Sequence, residues 1–138
     1  MGTRSNIAYK KSTGEIVSMY CHYDGYPQYN GVMLNEHYNT HAKARGLVDN
    51  GYQSGLKETV EKSNEGRVHE EPPKTYRSFH SFLMDINFDI EWVYLYTDAW
   101  YYAETSLISL PNGKYNVEVE DFSLLSDLHY TINVGDQS

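Results

Sequence analysis

The run Tyr20-Cys21-His22-Tyr23-Asp24 gathers a thiol, an imidazole, a carboxylate and two phenols within five residues. Side chains alternate along an extended strand, so Val17, Met19, Cys21 and Tyr23 share one face while Ser18, Tyr20, His22 and Asp24 share the other. The first row is core-like. The second is polar, aromatic and titratable, suited to contact with a ligand or to a hydrogen-bonded platform beneath a loop. Neighbours in a strand point opposite ways, so Cys21 and His22 cannot form the thiol-imidazole pair of a cysteine nucleophile. A free cysteine in such a row behaves as a small hydrophobe. His22 and Asp24 do share a face, and a carboxylate can orient an imidazole for acid-base work. No serine or threonine nucleophile is tied to them by a motif, which ranks a small hydrolase using His22 and Asp24 below the binding readings. Arg4, Tyr20, His22 and Asp24 form a candidate ligand site for a nucleotide-like molecule.

A second constellation lies in the C-terminal part. Trp92, Tyr94 and Tyr96 alternate with Val93 and Leu95, so both rows are inside only if the sheet is covered on both sides. Otherwise the aromatic row is exposed among Glu91, Asp98 and Glu104, a combination that captures Arg and Lys by cation-π faces beside carboxylates. Glu118, Glu120 and Asp121 extend this candidate surface. The charge distribution favours it: residues 1–84 hold ten Lys or Arg against nine Asp or Glu, whereas residues 85–138 hold Lys114 alone against ten acids. Of the net charge of -8, the second part therefore carries -9. Such a field attracts a protein with a basic surface and repels phosphate backbones, so direct nucleic-acid binding is not expected.

His37 and His41 stand four apart, the spacing of two zinc ligands on one helix. Asn39-Thr40 reads as a break between two helices, and no further ligand completes the set, so no metal is expected. Neither GxGxxG nor GxxxxGK[ST] occurs, and no cofactor is expected.

The elements that must position these groups read as an α+β fold, an antiparallel sheet with two or three helices packed on one face. Residues 6–8 and 15–23 form an opening hairpin around Lys10-Lys11-Ser12-Thr13-Gly14, ended by the Asp24-Gly25-Tyr26-Pro27 corner. Asn30 is placed to cap a short helix burying Met33, Leu34, His37 and Tyr38. Thr40 caps a second, with Ala44, Leu47 and Val48 inward and Asn50-Gly51 at its end. A weaker helix is expected over 56–61, and a mobile surface loop over 61–74, where Gly66 and Pro72-Pro73 interrupt any periodicity. Ser78 caps a helix with Phe79, Phe82, Leu83 and Ile86 in one stripe. Strands follow over 91–97 and 100–105, then a hairpin turning at Pro111-Asn112-Gly113 that points Tyr115, Val117 and Val119 inward. Residues 124–132 fit a helix or a strand equally.

At 138 residues the chain is the length of one domain able to build a core without disulfides or metal. No apolar run approaches the roughly 20 residues of a membrane span. The N-terminus has neither a signal-peptide core nor the myristoylation pattern, which needs Ser or Thr where Asn6 stands. A single cysteine fits a reducing compartment. Unpaired strands and exposed aromatics are compatible with a homodimer.

The opening Met1-Gly2-Thr3-Arg4-Ser5, the motif Tyr20-Cys21-His22-Tyr23-Asp24-Gly25-Tyr26-Pro27 and the following Asn30-Gly31 resemble a family of small bacteriophage proteins. The resemblance runs over about residues 1–56, with a fainter echo from Tyr94-Leu95-Tyr96 to Trp100-Tyr101. The chain departs from the pattern at Tyr23, where the family has Trp, and near Ala99, where it has a Gly-Lys turn. What the resemblance implies is an accessory protein made early in infection to modify or disarm the host, a class dominated by small binders. The charge imbalance adds the expectation of a non-enzymatic inhibitor of a host nucleic-acid enzyme or an anti-phage defence complex, and the single cysteine that of a place in the cytoplasm of the infected bacterial host.

Overall fold

The computed structural model describes residues 2–127. Strands β1 (Ser5–Lys10) and β2 (Ile16–Cys21) pair antiparallel with Asn6 opposite Tyr20 and Ala8 opposite Ser18. The corner after β2 runs through a π-helical turn, Pro27–Gly31, directly into α1 (Val32–His37), and α2 (His41–Asn50) follows. Then come α3 (Val60–Glu65), the edge strand β3 (Lys74–Tyr76) and α4 (Phe79–Met84). Strands β4 (Trp92–Tyr96), β5 (Trp100–Ser109), β6 (Tyr115–Val119) and β7 (Ser123–Leu124) complete the described chain.

The α+β class holds, but the sheet is mixed rather than antiparallel. Its order is β3-β2-β1-β4-β5-β6, and β1 pairs with β4 in parallel, Ile7 opposite Tyr94. The physical reason is the crossover: β3 returns parallel to β1, and α4 carries the chain across the sheet to enter β4 from the same end. Helices also cover both faces rather than one. On one face Ile7, Val17, Met19, Cys21, Tyr94 and Tyr96 pack with Leu34 of α1 and with Ala44, Leu47 and Val48 of α2. On the other, Ala8, Ile16, Val93 and Leu95 pack with Phe82 of α4 and with Ile86 and Ile90 behind it.

Local signals fixed most helix ends. The Thr40 and Ser78 hydroxyls accept from the backbone N–H of Lys43 and Ser81, each satisfying an otherwise unpaired donor of the first turn. Asn30 does not act as the expected cap. It is fully buried within the π-helical turn, where its amide donates to Ser5 Oγ and Cys21 Sγ, both at 3.4 Å. The helix expected over 56–61 forms later, as α3, because the Thr59 hydroxyl caps it by accepting from the Lys62 N–H. α3 accordingly takes the first part of the expected 61–74 loop, leaving residues 66–73 irregular. The element expected over 124–132 begins as β7, and the rest, like the side chain of Tyr115, lies outside the described residues.

Many of the chain's fourteen tyrosines are tethers. Tyr94, fully buried, donates its hydroxyl to the Gly25 carbonyl at 2.6 Å, and Tyr38 donates to the Lys57 carbonyl at 2.7 Å. Trp100 Nε1 donates to the Tyr38 carbonyl, also at 2.7 Å. Each ring fills the core while its polar tip satisfies a loop carbonyl, a pairing that contributes about 1 kcal/mol net and costs more if only one partner is removed. Burial, followed by the Asp49 carboxylate that accepts its proton, raises the Tyr9 hydroxyl from 10.0 to about 12. Burial likewise raises Tyr38 and, well above 10.0, Tyr94.

A phenol whose pKa is raised by folding contributes its full stability below the unfolded value and loses it as pH climbs through the folded one. Titrating the protein from pH 10 upward is expected to show delayed tyrosinate absorbance for these residues, rising together with loss of circular dichroism. Titration of every tyrosine near pH 10 with the fold intact would contradict this packing.

Candidate functional site

The motif over residues 20–27 is first a structural corner. Gly25 donates to the Thr3 carbonyl at 2.8 Å, and a Cβ there would stand 2.7 Å from the same oxygen. Only glycine lets these two backbone segments approach so closely. Cys21 is fully buried and its thiol lies 3.5 Å from the Tyr23 carbonyl; burial pushes it up to about 11. It is therefore expected to stay unmodified by a thiol reagent such as dithionitrobenzoate in the native state and to react once denaturant is added. Rapid labelling of native protein would rule out this burial.

Of the candidate ligand residues, three converge and one does not. The Tyr20 hydroxyl lies 2.8 Å from His22 Nδ1, and Arg4 reaches the electrostatic surroundings of Tyr20 while pairing with Asp89 at 3.7 Å. Asp24 leaves the group. It adopts a left-handed backbone, φ 59°, which ends the alternation, and its Oδ1 accepts from the Tyr26 hydroxyl at 3.2 Å. The His22-Asp24 pair that a hydrolase would need is thus replaced by a His22-Tyr20 bond.

Sequence reasoning missed what lies beside Tyr20. Between the β1-β2-β3 part of the sheet and the segment after α4 is a cleft of about 210 Å³. Asn6, Ser18 and Tyr20 form its floor, brought together by the hairpin register. Glu71, Lys74 and Tyr76 stand on one rim; Asp85, Asn87 and Asp89 stand on the other. The Tyr76 hydroxyl bridges the rims by donating to Asp85 Oδ2 at 2.6 Å; burial, and then this bond to a carboxylate, raises its pKa. The polar row Ser18-Tyr20 was the available signal. The far rim is more than sixty residues away in sequence and carries no motif.

The expected acidic aromatic surface divides. Tyr94 is fully buried and Tyr96 is 7% exposed, so neither contributes to a surface: α1 and α2 cover the face on which they stand. Trp92 remains half-buried beside Tyr102, ring centroids 6.2 Å apart. Trp92 is paired with Glu104, and Ser106 with Glu118; Glu120 donates its N–H to the Glu104 carbonyl at 2.9 Å. Cross-strand partners share a face, so Glu104, Glu118 and Glu120 lie together, exposed, next to Trp92 and Tyr102. Among the described residues none of these three carboxylates has an ion-pair partner. Glu91 precedes Trp92 and falls on the opposite face, Asp98 sits in the turn at the far end of β4, and exposed Asp121 lies between β6 and β7. The Thr97 hydroxyl, donating at 3.0 Å, holds Asp98 below the usual carboxylate range.

His37 ends α1 and His41 begins α2, so the pair does not share one helix. Among the described residues no group of three or more His, Cys, Asp or Glu is arranged to hold a metal ion, and no helix is long and apolar enough to cross a membrane. Compared with protein-family models, curated proteins and solved structures, the chain matches none.

Proposed function

We propose that the protein is a phage accessory protein acting in the host cytoplasm as a non-enzymatic inhibitor that docks on a basic surface of a host nucleic-acid enzyme or anti-phage defence complex. The observation that carries this reading is the gathering of Glu104, Glu118 and Glu120 on one sheet face without a compensating cation among the described residues. Trp92 and Tyr102 beside them supply ring surface against which an Arg or Lys stem can lie. The contact area is smaller than the sequence implied, because Tyr94 and Tyr96 belong to the core.

The same charges act on other partners. They repel a phosphate backbone, and a second copy pairing along the outer edge of β6 would bring Glu118 and Glu120 near their own counterparts. A basic partner turns that repulsion into attraction. Affinity capture from bacterial lysate, repeated with the double substitution Glu118→Lys and Glu120→Lys, tests the reading. A partner held equally by both forms, or held unchanged at high salt, would overturn it.

A further inference from the structure

We propose that the cleft floored by Asn6, Ser18 and Tyr20 is a binding site for a small neutral polyhydroxylated ligand of single-ring size, a monosaccharide or cyclic polyol. Its floor contains a polar group that the fold leaves unused: Ser18 is only 6% exposed, lines the cleft, and its hydroxyl has no hydrogen-bond partner among the described residues. Among the described residues the wholly buried side-chain atoms without a partner are Asn30 Oδ1 and Gln53 Oε1, so the Ser18 hydroxyl keeps access to solvent at the cleft it lines, where it can both donate and accept. The carboxamides of Asn6 on the floor and Asn87 on the rim make no side-chain hydrogen bond among the described residues either.

The cleft's chemistry selects the ligand. Glu71, Asp85 and Asp89 line it against Lys74, and Arg4 is already engaged by Asp89, so a phosphate group would meet more negative than free positive charge. This weighs against the nucleotide-like ligand suggested by Arg4, Tyr20, His22 and Asp24. An ammonium ligand fares little better: Asp85 is occupied by the Tyr76 hydroxyl and Asp89 by Arg4, which leaves Glu71 as the one lining carboxylate without such a partner among the described residues, on the same rim as Lys74. Ring hydroxyls, in contrast, both donate and accept, matching the mixed set of Ser18, Asn6 and Asn87, whose side chains make no hydrogen bond among the described residues. The rings of Tyr20 and Tyr76 offer apolar surface for C–H groups of such a ring. At about 210 Å³ the cleft is below the range of roughly 300–1,000 Å³ that takes drug-sized ligands, which limits it to one ring.

The test is amide chemical-shift mapping by NMR with D-glucose, D-galactose, N-acetyl-D-glucosamine and myo-inositol, alongside AMP and 1,4-diaminobutane as anionic and cationic probes. A ring of about a dozen non-hydrogen atoms is expected to bind with a millimolar Kd, shifting the amides of Asn6, Ser18, Tyr20 and Asn87 but not those of Glu118 and Glu120. Ser18→Ala is expected to weaken that binding about tenfold, and Asn87→Ala, at an exposed position, several-fold with unchanged thermal stability. The proposal is overturned if no neutral probe shifts these amides at about 100 mM, well above the expected Kd. Binding of AMP or 1,4-diaminobutane alone overturns it too, as does wild-type affinity in both variants. None of these results bears on the acidic face across the sheet.

Discussion

Replacing Gly51 with alanine is expected to destabilise the protein by about 3 kcal/mol or more, the largest stability loss foreseen for a single methyl group in this fold. Gly51 ends α2 with φ 91° and ψ -153°, a backbone region that side chains other than hydrogen avoid. Strain alone costs about 1–3 kcal/mol. A Cβ would also stand 2.1 Å from the Glu71 carbonyl oxygen and 3.3 Å from Pro72 Cα, both backbone atoms that cannot rotate away. That carbonyl accepts from the Tyr52 N–H at 2.9 Å, so relieving the clash breaks the bond that pins residues 71 and 72, part of the cleft rim, to the segment that follows α2. In a domain of ordinary stability, about 5–15 kcal/mol, this is a large fraction. Thermal denaturation is expected to show a fall in Tm of about 10 °C or more. Gly46→Ala is the matched control: its Cβ meets nothing within 4 Å and the position is exposed in mid-helix. There alanine is expected to stabilise by about 0.5–1 kcal/mol. Equal Tm values for the Gly51→Ala protein and the wild type would mean that the corner is not built as described.

Reversing Glu118 and Glu120 to lysine is expected to produce the largest functional change, about a 100-fold loss of affinity for a basic partner. Each exposed carboxylate contributes up to about 1 kcal/mol to a surface ion pair, and each lysine replaces attraction with a repulsion of similar size. Two reversals therefore change binding by up to about 4 kcal/mol, and about two-thirds of that ceiling, roughly 2.7 kcal/mol, is the factor of 100. Neither side chain is buried, and the neighbouring Val117 and Val119 keep their packing on the opposite face, so Tm is expected to stay within a few degrees of wild type. Binding by the wild type is also expected to weaken steeply as rising salt shortens the Debye length below about 10 Å. A partner whose affinity is indifferent to both salt and reversal would exclude docking through this face.

How much of this was legible in the chain depends on the range of the forces involved. Thr40 and Ser78 were readable as caps because the bond that matters joins residues three apart. Asn30 is the same kind of residue at the start of the same kind of element, yet its amide is drawn into the core by Ser5 and Cys21, one of them 25 residues away. The alternation of Val17, Met19 and Cys21 against Ser18, Tyr20 and His22 correctly separated a core row from a polar row. It failed beyond the end of β2: Tyr23, expected in the core row, is 48% exposed, and at Asp24 a left-handed backbone breaks the period of two.

Composition and local pattern by themselves determined the α+β class, the opening hairpin, the charge asymmetry and the two possible fates of the Trp92-Tyr94-Tyr96 row. Only the tertiary structure decided between those fates, by laying α1 and α2 on one face and α4 on the other, so that two of the three rings became core and the carboxylates of β5 and β6 became a separate acidic face. It alone also built the cleft, whose floor and far rim are joined through the parallel β1-β4 pairing. Local propensity acts over a few residues, whereas the covering of a sheet face depends on contacts between segments distant in sequence, which periodicity does not encode.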